Sequence, residues 1–295
     1  MTPGIRPNNP SLLLSPRRTL ARFGLRPKKS LGQNFATSAA LIRSLVEAAE
    51  LEPGDVVLEV GPGLGTLTRA LAQRAGSVIA VEIDTRLMPI LRQTLADLSN
   101  VHLIEGDILK VDPGSLLRAA RIGTERYQVV ANLPYYLTSH LLRHLLESIP
   151  SPERMVVTVQ REVAQRIVAG PGQMSLLAVS VQFFSRPRLV ARVPRGAFWP
   201  SPGVESAVLR LDTRIPPLGH GERERFFEMV RAGYSQRRKY LRNALAQGTG
   251  RSSQEIEAAL RQAGLSERSR AQDLSVEDWI RLLQTLNATP SEKRA

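Results

Sequence analysis

The chain has 295 residues, 42% of them hydrophobic, enough for a sizeable core and comfortable for two domains. Its 40 Lys and Arg outnumber 27 Asp and Glu for a formal net charge of +13, which favours a polyanionic partner because each neutralised phosphate releases counterions. Cysteine is absent, which excludes disulfide scaffolds, thiolate zinc sites and cysteine nucleophiles.

In chain order, residues 1–18 are rich in Pro, Asn and Ser and are expected to be a flexible extension. Leu12-Leu13-Leu14 is too short for a signal-peptide core and leads into Arg17 and Arg18. No apolar run reaches the length of a membrane span, so a cytoplasmic protein without a membrane partner is expected. A short helical turn at 19–24 precedes the basic run Arg26-Pro27-Lys28-Lys29. Leu41, Ile42, Leu45, Val46 and Ala49 then recur at helical spacing up to the break at Pro53-Gly54. From residue 55 short apolar strands alternate with amphipathic helices. Strands are predicted at 56–60, 77–83, 101–104, 127–131 and 155–159, with helices at 66–74, 85–98, 139–146 and 162–168. Such alternation means a parallel, doubly wound α/β sheet, and 188–193 and 204–211 read as strands completing it. After Ile215-Pro216-Pro217 only helical periods remain, at 223–232, 239–245, 253–263 and 276–286, where Trp279, Ile280, Leu283 and Leu286 suit a core. The expected organisation is an extension (1–18), a doubly wound α/β domain (19–213), a small helical domain (214–290) and a flexible tail (291–295).

The first strand runs into Glu59-Val60-Gly61-Pro62-Gly63-Leu64-Gly65. Glycines at a strand-to-helix turn let the backbone approach a ligand closely, and the spacing is G-x-G-x-G rather than the dinucleotide G-x-G-x-x-G. A carboxylate at Glu59 would repel a pyrophosphate but suits a cationic amino-acid moiety. Glu82 ends the second strand, where it can accept both hydroxyls of a ribose, and Asp107 follows the third, in reach of an adenine amino group. Singly, Glu82 or Asp107 could be a helix cap; together with Gly61 and Gly63 they describe S-adenosylmethionine better than NAD.

Asn132-Leu133-Pro134-Tyr135 closes the fourth strand. Adenine N6 is a poor nucleophile because its lone pair is delocalised into the ring. The Asn132 side-chain carbonyl and a backbone carbonyl at Leu133 or Pro134 could accept its two hydrogens and draw the lone pair towards a sulfonium methyl. Pro134 would fix the backbone, and Tyr135 would stack on a base extruded from its helix or loop.

At these residues the chain resembles the ribosomal RNA adenine dimethyltransferases. The resemblance also covers Lys28-Lys29-Ser30-Leu31-Gly32-Gln33-Asn34-Phe35 and Gly196-Ala197-Phe198-Trp199-Pro200-Ser201-Pro202-Gly203-Val204-Glu205-Ser206-Ala207-Val208. The run Gln236-Arg237-Arg238-Lys239-Tyr240-Leu241-Arg242-Asn243 is similar to the helical-domain signature of the small-subunit branch. It implies a Rossmann-like fold with a helical domain. The implied reaction is dimethylation of N6 on two adjacent adenosines in the terminal stem-loop of 16S rRNA, within an immature ribosomal particle, by a monomer without metal. It places cofactor contacts at Asn34, Ala36, Gly61, Glu82, Asp107 and Asn132, and a base-sandwiching aromatic at Phe198, which otherwise reads as a core phenylalanine. Ala36 departs from the leucine usual there, and Tyr136 receives no role. Lys28, Lys29, Arg237, Arg238, Lys239 and Arg242 would seat RNA phosphates, although a solvated helix face is the ordinary reading of such runs. His140 and His144 have the i, i+4 spacing of a metal pair but lack a third ligand, so no metal is expected. The rival readings are a large-subunit rRNA methyltransferase conferring macrolide resistance and a non-catalytic RNA-binding assembly or transcription factor.

Overall fold

The computed structural model describes residues 15–236 and 238–288, so the expected tail at 291–295, most of the expected extension and Arg237 lie outside the described residues. The chain proceeds through α1 (Pro16–Arg22), β1 (Phe35–Ala36), α2 (Ala39–Ala49), β2 (Val56–Val60), α3 (Thr66–Ala72), β3 (Ser77–Glu82), α4 (Met88–Thr94) and β4 (Val101–Glu105). It continues with α5 (Pro113–Ala119), β5 (Gln128–Asn132), α6 (Thr138–Glu147), β6 (Arg154–Gln160), α7 (Arg161–Ile167), α8 (Leu176–Phe184), β7 (Ser185–Val193), β8 (Phe198–Trp199) and β9 (Ser206–Thr213). Four helices follow, α9 (His220–Tyr234), α10 (Leu241–Thr249), α11 (Ser253–Gln262) and α12 (Val276–Ala288).

Seven strands make one sheet in the order β4-β3-β2-β5-β6-β9-β7. Pairing is parallel from β4 through β6, and β9 joins β6 antiparallel. The α/β class expected from the alternating pattern is therefore the class observed, with the two late strands in place. All five residues of β2 and the last five of β3 are buried, as continuous Val/Ile/Leu runs require in a sheet covered on both faces. The chain leaves β2 towards β3 and β4, then returns to β5 on the other side. That reversal opens a crevice beyond the carboxyl ends of β2 and β5.

Helix α2 shows how the local code becomes packing. The Ser38 hydroxyl caps it by accepting from the Leu41 amide at 3.3 Å, and Leu41, Leu45 and Ala49 stack on one face. That face is buried against Val57, Val130 and Val156 of the sheet, each buried leucine contributing about 1.5–3 kcal/mol. A second cluster joins Leu20 of α1, Phe35 of β1, Leu64 and Leu91.

Two expectations need correction. Residues 16–18 are not part of a flexible extension: they begin α1, whose Pro16 is buried and whose Leu20 is only 1% exposed. Residues 165–185 do not group with the seven-stranded sheet. The chain divides into one compact unit comprising residues to Ala164 with Arg186–Thr213, and another comprising Gln165–Ser185 with the residues from Arg214 onward. The reason is packing within the second unit. Phe183 of α8 packs against Phe226 of α9 with tilted rings 4.7 Å apart between centroids, Arg214 donates to the Gln182 carbonyl at 2.7 Å, and the Gly172 amide donates to the Gln272 carbonyl at 2.9 Å.

Candidate active site

The glycine-rich turn after β2 works because its backbone adopts conformations that side chains resist. Gly61, Gly63 and Gly65 all have positive φ, and a Cβ at Gly63 would stand 3.1 Å from the Phe35 ring. Beyond it the carboxyl ends of β2, β3, β4 and β5 converge on a solvent-open cleft. Glu59, Gly61, Gly63, Glu82, Asp107, Asn132, Leu133, Pro134 and Tyr135 all line it, together with Asn34 and Ala36 from the segment before α2. Residues separated by nearly a hundred positions are thus gathered in one place.

Charge in the cleft is arranged to receive donors. Glu59 is 1% exposed, its Oε2 has no hydrogen-bond partner among the described residues, and burial pushes its carboxyl up to about 8. The Thr68 hydroxyl nearby opposes that shift and the Glu82 carboxylate adds to it. Glu82 is also raised, chiefly by burial, but its oxygens are oriented: Oε2 accepts from the Gly63 amide at 3.1 Å and Oε1 from the Asp84 amide at 2.8 Å. Asp107 Oδ1 caps the short turn after β4 by accepting from the Leu109 amide at 3.1 Å, so the cap reading holds for it alongside its place on the cleft wall. A ligand presenting a cation towards Glu59 and hydroxyls towards Glu82 would satisfy groups the fold leaves wanting.

Segment 28–36 crosses the cleft as a strap. Gln33 Nε2 donates to Asp84 Oδ2 at 2.8 Å, and Gln33 Oε1 accepts from the Lys28 amide at 2.7 Å. Asp84, held low chiefly by the Arg86 guanidinium at 2.6 Å, stays charged as the anchor. At the other end of the strap the Asn34 carbonyl accepts from Asn132 Nδ2 at 2.9 Å. This bond decides which way the Asn132 amide faces: with its NH2 engaged, its carbonyl oxygen is the group left for a ligand. Of the two backbone candidates, the Pro134 carbonyl accepts from the Leu137 amide at 3.1 Å, whereas the Leu133 carbonyl has no backbone partner among the described residues. Tyr135 is oriented in turn by a hydrogen bond of 2.5 Å between its hydroxyl and Ser206 Oγ.

Other site expectations fall differently. Phe198 does not line the cleft; it is 4% exposed and packs in the core with Leu41 and Val208. The cause is register. The antiparallel β1–β8 pair sets Phe198 opposite Ala36 and Trp199 opposite Phe35, so each pair faces a different cluster. Arg238 and Lys239 are exposed, but Arg242 is committed to Glu257 and lies over the Tyr240 ring at 5.7 Å, which answers its charge internally. Lys28 and Lys29 are exposed. His144 bonds the Val111 carbonyl at 3.2 Å while His140 faces solvent, so the pair does not converge. Sequence reasoning passed over Ser206, Gln33, Asp84 and Tyr136. The first two lay inside motifs already singled out; Tyr136, 52% exposed on the cleft wall beside Gly32, carried no signal.

The model of the ribosomal RNA adenine dimethylase family matches residues 24–288. A ribosomal RNA small subunit methyltransferase A of Dehalococcoides mccartyi is 44% identical over 282 residues, covering 95% of this chain and 96% of the relative. The protein of the same name from Moorella thermoacetica is 46% identical, covering 92% and 98%. Among solved structures, the 23S rRNA methyltransferase ErmE superposes with a TM-score of 0.71 at 32% identity, covering 86% of this chain and all of that one. A dimethyladenosine transferase from Plasmodium falciparum shares the fold with a TM-score of 0.72 at 23% identity, covering 86% and 98%.

Proposed function

Since the chain belongs to the ribosomal RNA adenine dimethylase family and is an rRNA adenine dimethyltransferase, we propose that it uses S-adenosylmethionine to dimethylate N6 of two adjacent adenosines near the 3′ end of small-subunit (16S) rRNA. The observation carrying the reading is the Asn132 amide, turned by the Asn34 carbonyl so that its oxygen is left for an amino group. Asn132 Oδ1 and the Leu133 carbonyl accept the two N6 hydrogens, concentrating the nitrogen lone pair on the side of the methyl donor. Tyr135, its hydroxyl tied to Ser206, supplies the stacking face for the extruded base. No side chain acts as a strong base, because the proton becomes acidic once nitrogen is alkylated.

The residues present fit the donor. S-adenosylmethionine supplies an electrophilic methyl group on a sulfonium. Glu59, buried and with no partner for Oε2 among the described residues, suits its amino group, Glu82, oriented by two backbone amides, suits its ribose hydroxyls, and Asp107 suits its adenine amine. Asn34, Ala36, Gly61 and Gly63 complete that pocket. Ala36 joins it through a residue whose side chain packs towards the core, so a smaller group than leucine there costs cofactor affinity little. Curated relatives named for the small subunit, at 44% and 46% identity over nearly their whole length, support that substrate over the large subunit named for ErmE. Exposed Arg238 and Lys239 seat rRNA phosphates, and the working compartment is the cytoplasm.

The test is incubation with methyl-labelled cofactor and immature small subunits, followed by mass spectrometry of the digested rRNA. Label on two adjacent 16S adenosines is expected; label on 23S rRNA alone, or none on adenine, overturns the proposal. Asn132→Ala should lower turnover by about 100- to 1000-fold, as loss of one preorganised acceptor does, while RNA affinity holds.

A further inference from the structure

The positive charge of this chain is unevenly placed. The first 46 residues hold eight Lys and Arg and no Asp or Glu, since the first acid is Glu47, so a stretch under a sixth of the length carries more than half of the net +13. The rest of the unit that contains the cleft, residues 47–164 and 186–213, holds 16 Lys and Arg against 17 Asp and Glu, a net charge of −1. On that unit the attraction for a polyanion resides in the N-terminal segment.

The fold docks this segment beside the cleft. Leu20 is buried, Phe23 and Leu25 pack on the same cluster as Phe35 and Leu64, and Pro16 lines the cleft itself. With its apolar side pinned inwards, the segment turns Arg17, Arg18, Arg22, Arg26, Lys28 and Lys29 to solvent. None of the six forms an ion pair among the described residues. Arg18 and Arg22 are one helical turn apart, where like charges repel and weaken a short helix, so the arrangement costs stability unless an anion answers it. At Arg17 a shallow depression is lined by Pro16, Thr37, Gly196, Phe198 and the half-buried Trp199, and Pro16 lines the cleft as well.

The geometry points to the segment from Arg17 to Lys29 as a phosphate-binding track that grips the RNA strand flanking the target adenosine. This deepens the proposed function and rests on it: the ligand is the sugar–phosphate backbone of single-stranded RNA leading to the extruded base. The contacts are to phosphate, so they set affinity and register rather than base identity.

The experiment compares the full-length protein with a triple variant, Arg17→Gln, Arg18→Gln and Arg22→Gln, and with the corresponding triple lysine variant. The probe is a stem-loop RNA carrying two adjacent adenosines, its affinity measured across a salt series. Loss of three phosphate contacts should reduce the slope of log affinity against log salt by about 2 to 3, and lower affinity roughly 100-fold at 0.15 M salt. The lysine variant should keep the wild-type slope, and S-adenosylmethionine affinity should be equal in all three proteins. An unaltered slope in the glutamine variant overturns the track. So does lost cofactor affinity, because the arginines would then be supporting the cleft rather than gripping RNA. Wild-type protein that methylates no adenosine would sink the functional reading instead, and the two failures are separately visible.

Discussion

Glu59 makes the free protein's stability depend on pH in a way that one substitution should remove. Its carboxyl is fully buried without a partner for Oε2 among the described residues, and its pKa rises from 4.5 to about 8, first because burial disfavours the anion and then because Glu82 is close. A raised acid holds its proton in the folded state when the unfolded chain has already lost it. Its contribution is therefore complete below pH 4.5 and is lost as pH rises through 8. The interval from 4.5 to about 8, at about 1.4 kcal/mol per pH unit, amounts to about 5 kcal/mol. Glu59→Gln keeps the shape and removes the titration. Urea denaturation between pH 5 and 9 should show wild-type stability falling relative to the variant by about that amount, mostly between pH 5 and 8. Binding of a cationic ligand reverses the preference, so S-adenosylmethionine should expel a proton at pH 7 from wild type but not from the variant. Calorimetry in buffers of unlike protonation enthalpy reads this directly. Stability profiles that run parallel for the two proteins would refute the reasoning.

Ser206→Ala strands the Tyr135 hydroxyl, now bonded at 2.5 Å, and should lower kcat about tenfold with the KM for cofactor unchanged, in steady-state assays. Gly63→Ala forces a side chain into a backbone with φ of 61° and sets its Cβ 3.1 Å from the Phe35 ring. It should cost about 1–2 kcal/mol and weaken cofactor binding by a comparable amount, measured by calorimetry. Gly233→Ala drives a Cβ into Cη2 of the fully buried Trp279 and should destabilise the helical unit by about 1–3 kcal/mol. Thermal melts should show the loss while cofactor affinity stays at its wild-type value.

Much of this protein was written locally. A strand buried on both faces must be apolar throughout, and a half-buried helix must carry a stripe, so periodicity located β2 to its residues and picked out the buried face of α2. The glycine turn and the acids at strand ends were legible for the same reason: their conformational and charge demands are local, and the sheet then brings strand ends together. Helix α8 was missed because Leu176–Phe184 is apolar nearly all round, which erases the stripe, and α5 because its seven residues are too few to show one. Its amino end did carry a signal, Asp112 before Pro113.

Sequence alone thus determined the α/β class, the helical region that follows it, and the residue types at the cleft, since each depends on neighbours within a few positions. Tertiary structure decided the rest. Which unit claims 165–185, which way the Asn132 amide turns, that Phe198 packs inward, and that Ser206 holds Tyr135 are all set by partners many tens of residues away. A contact of that kind leaves no period in the chain, because its geometry exists only once the strands have taken their places.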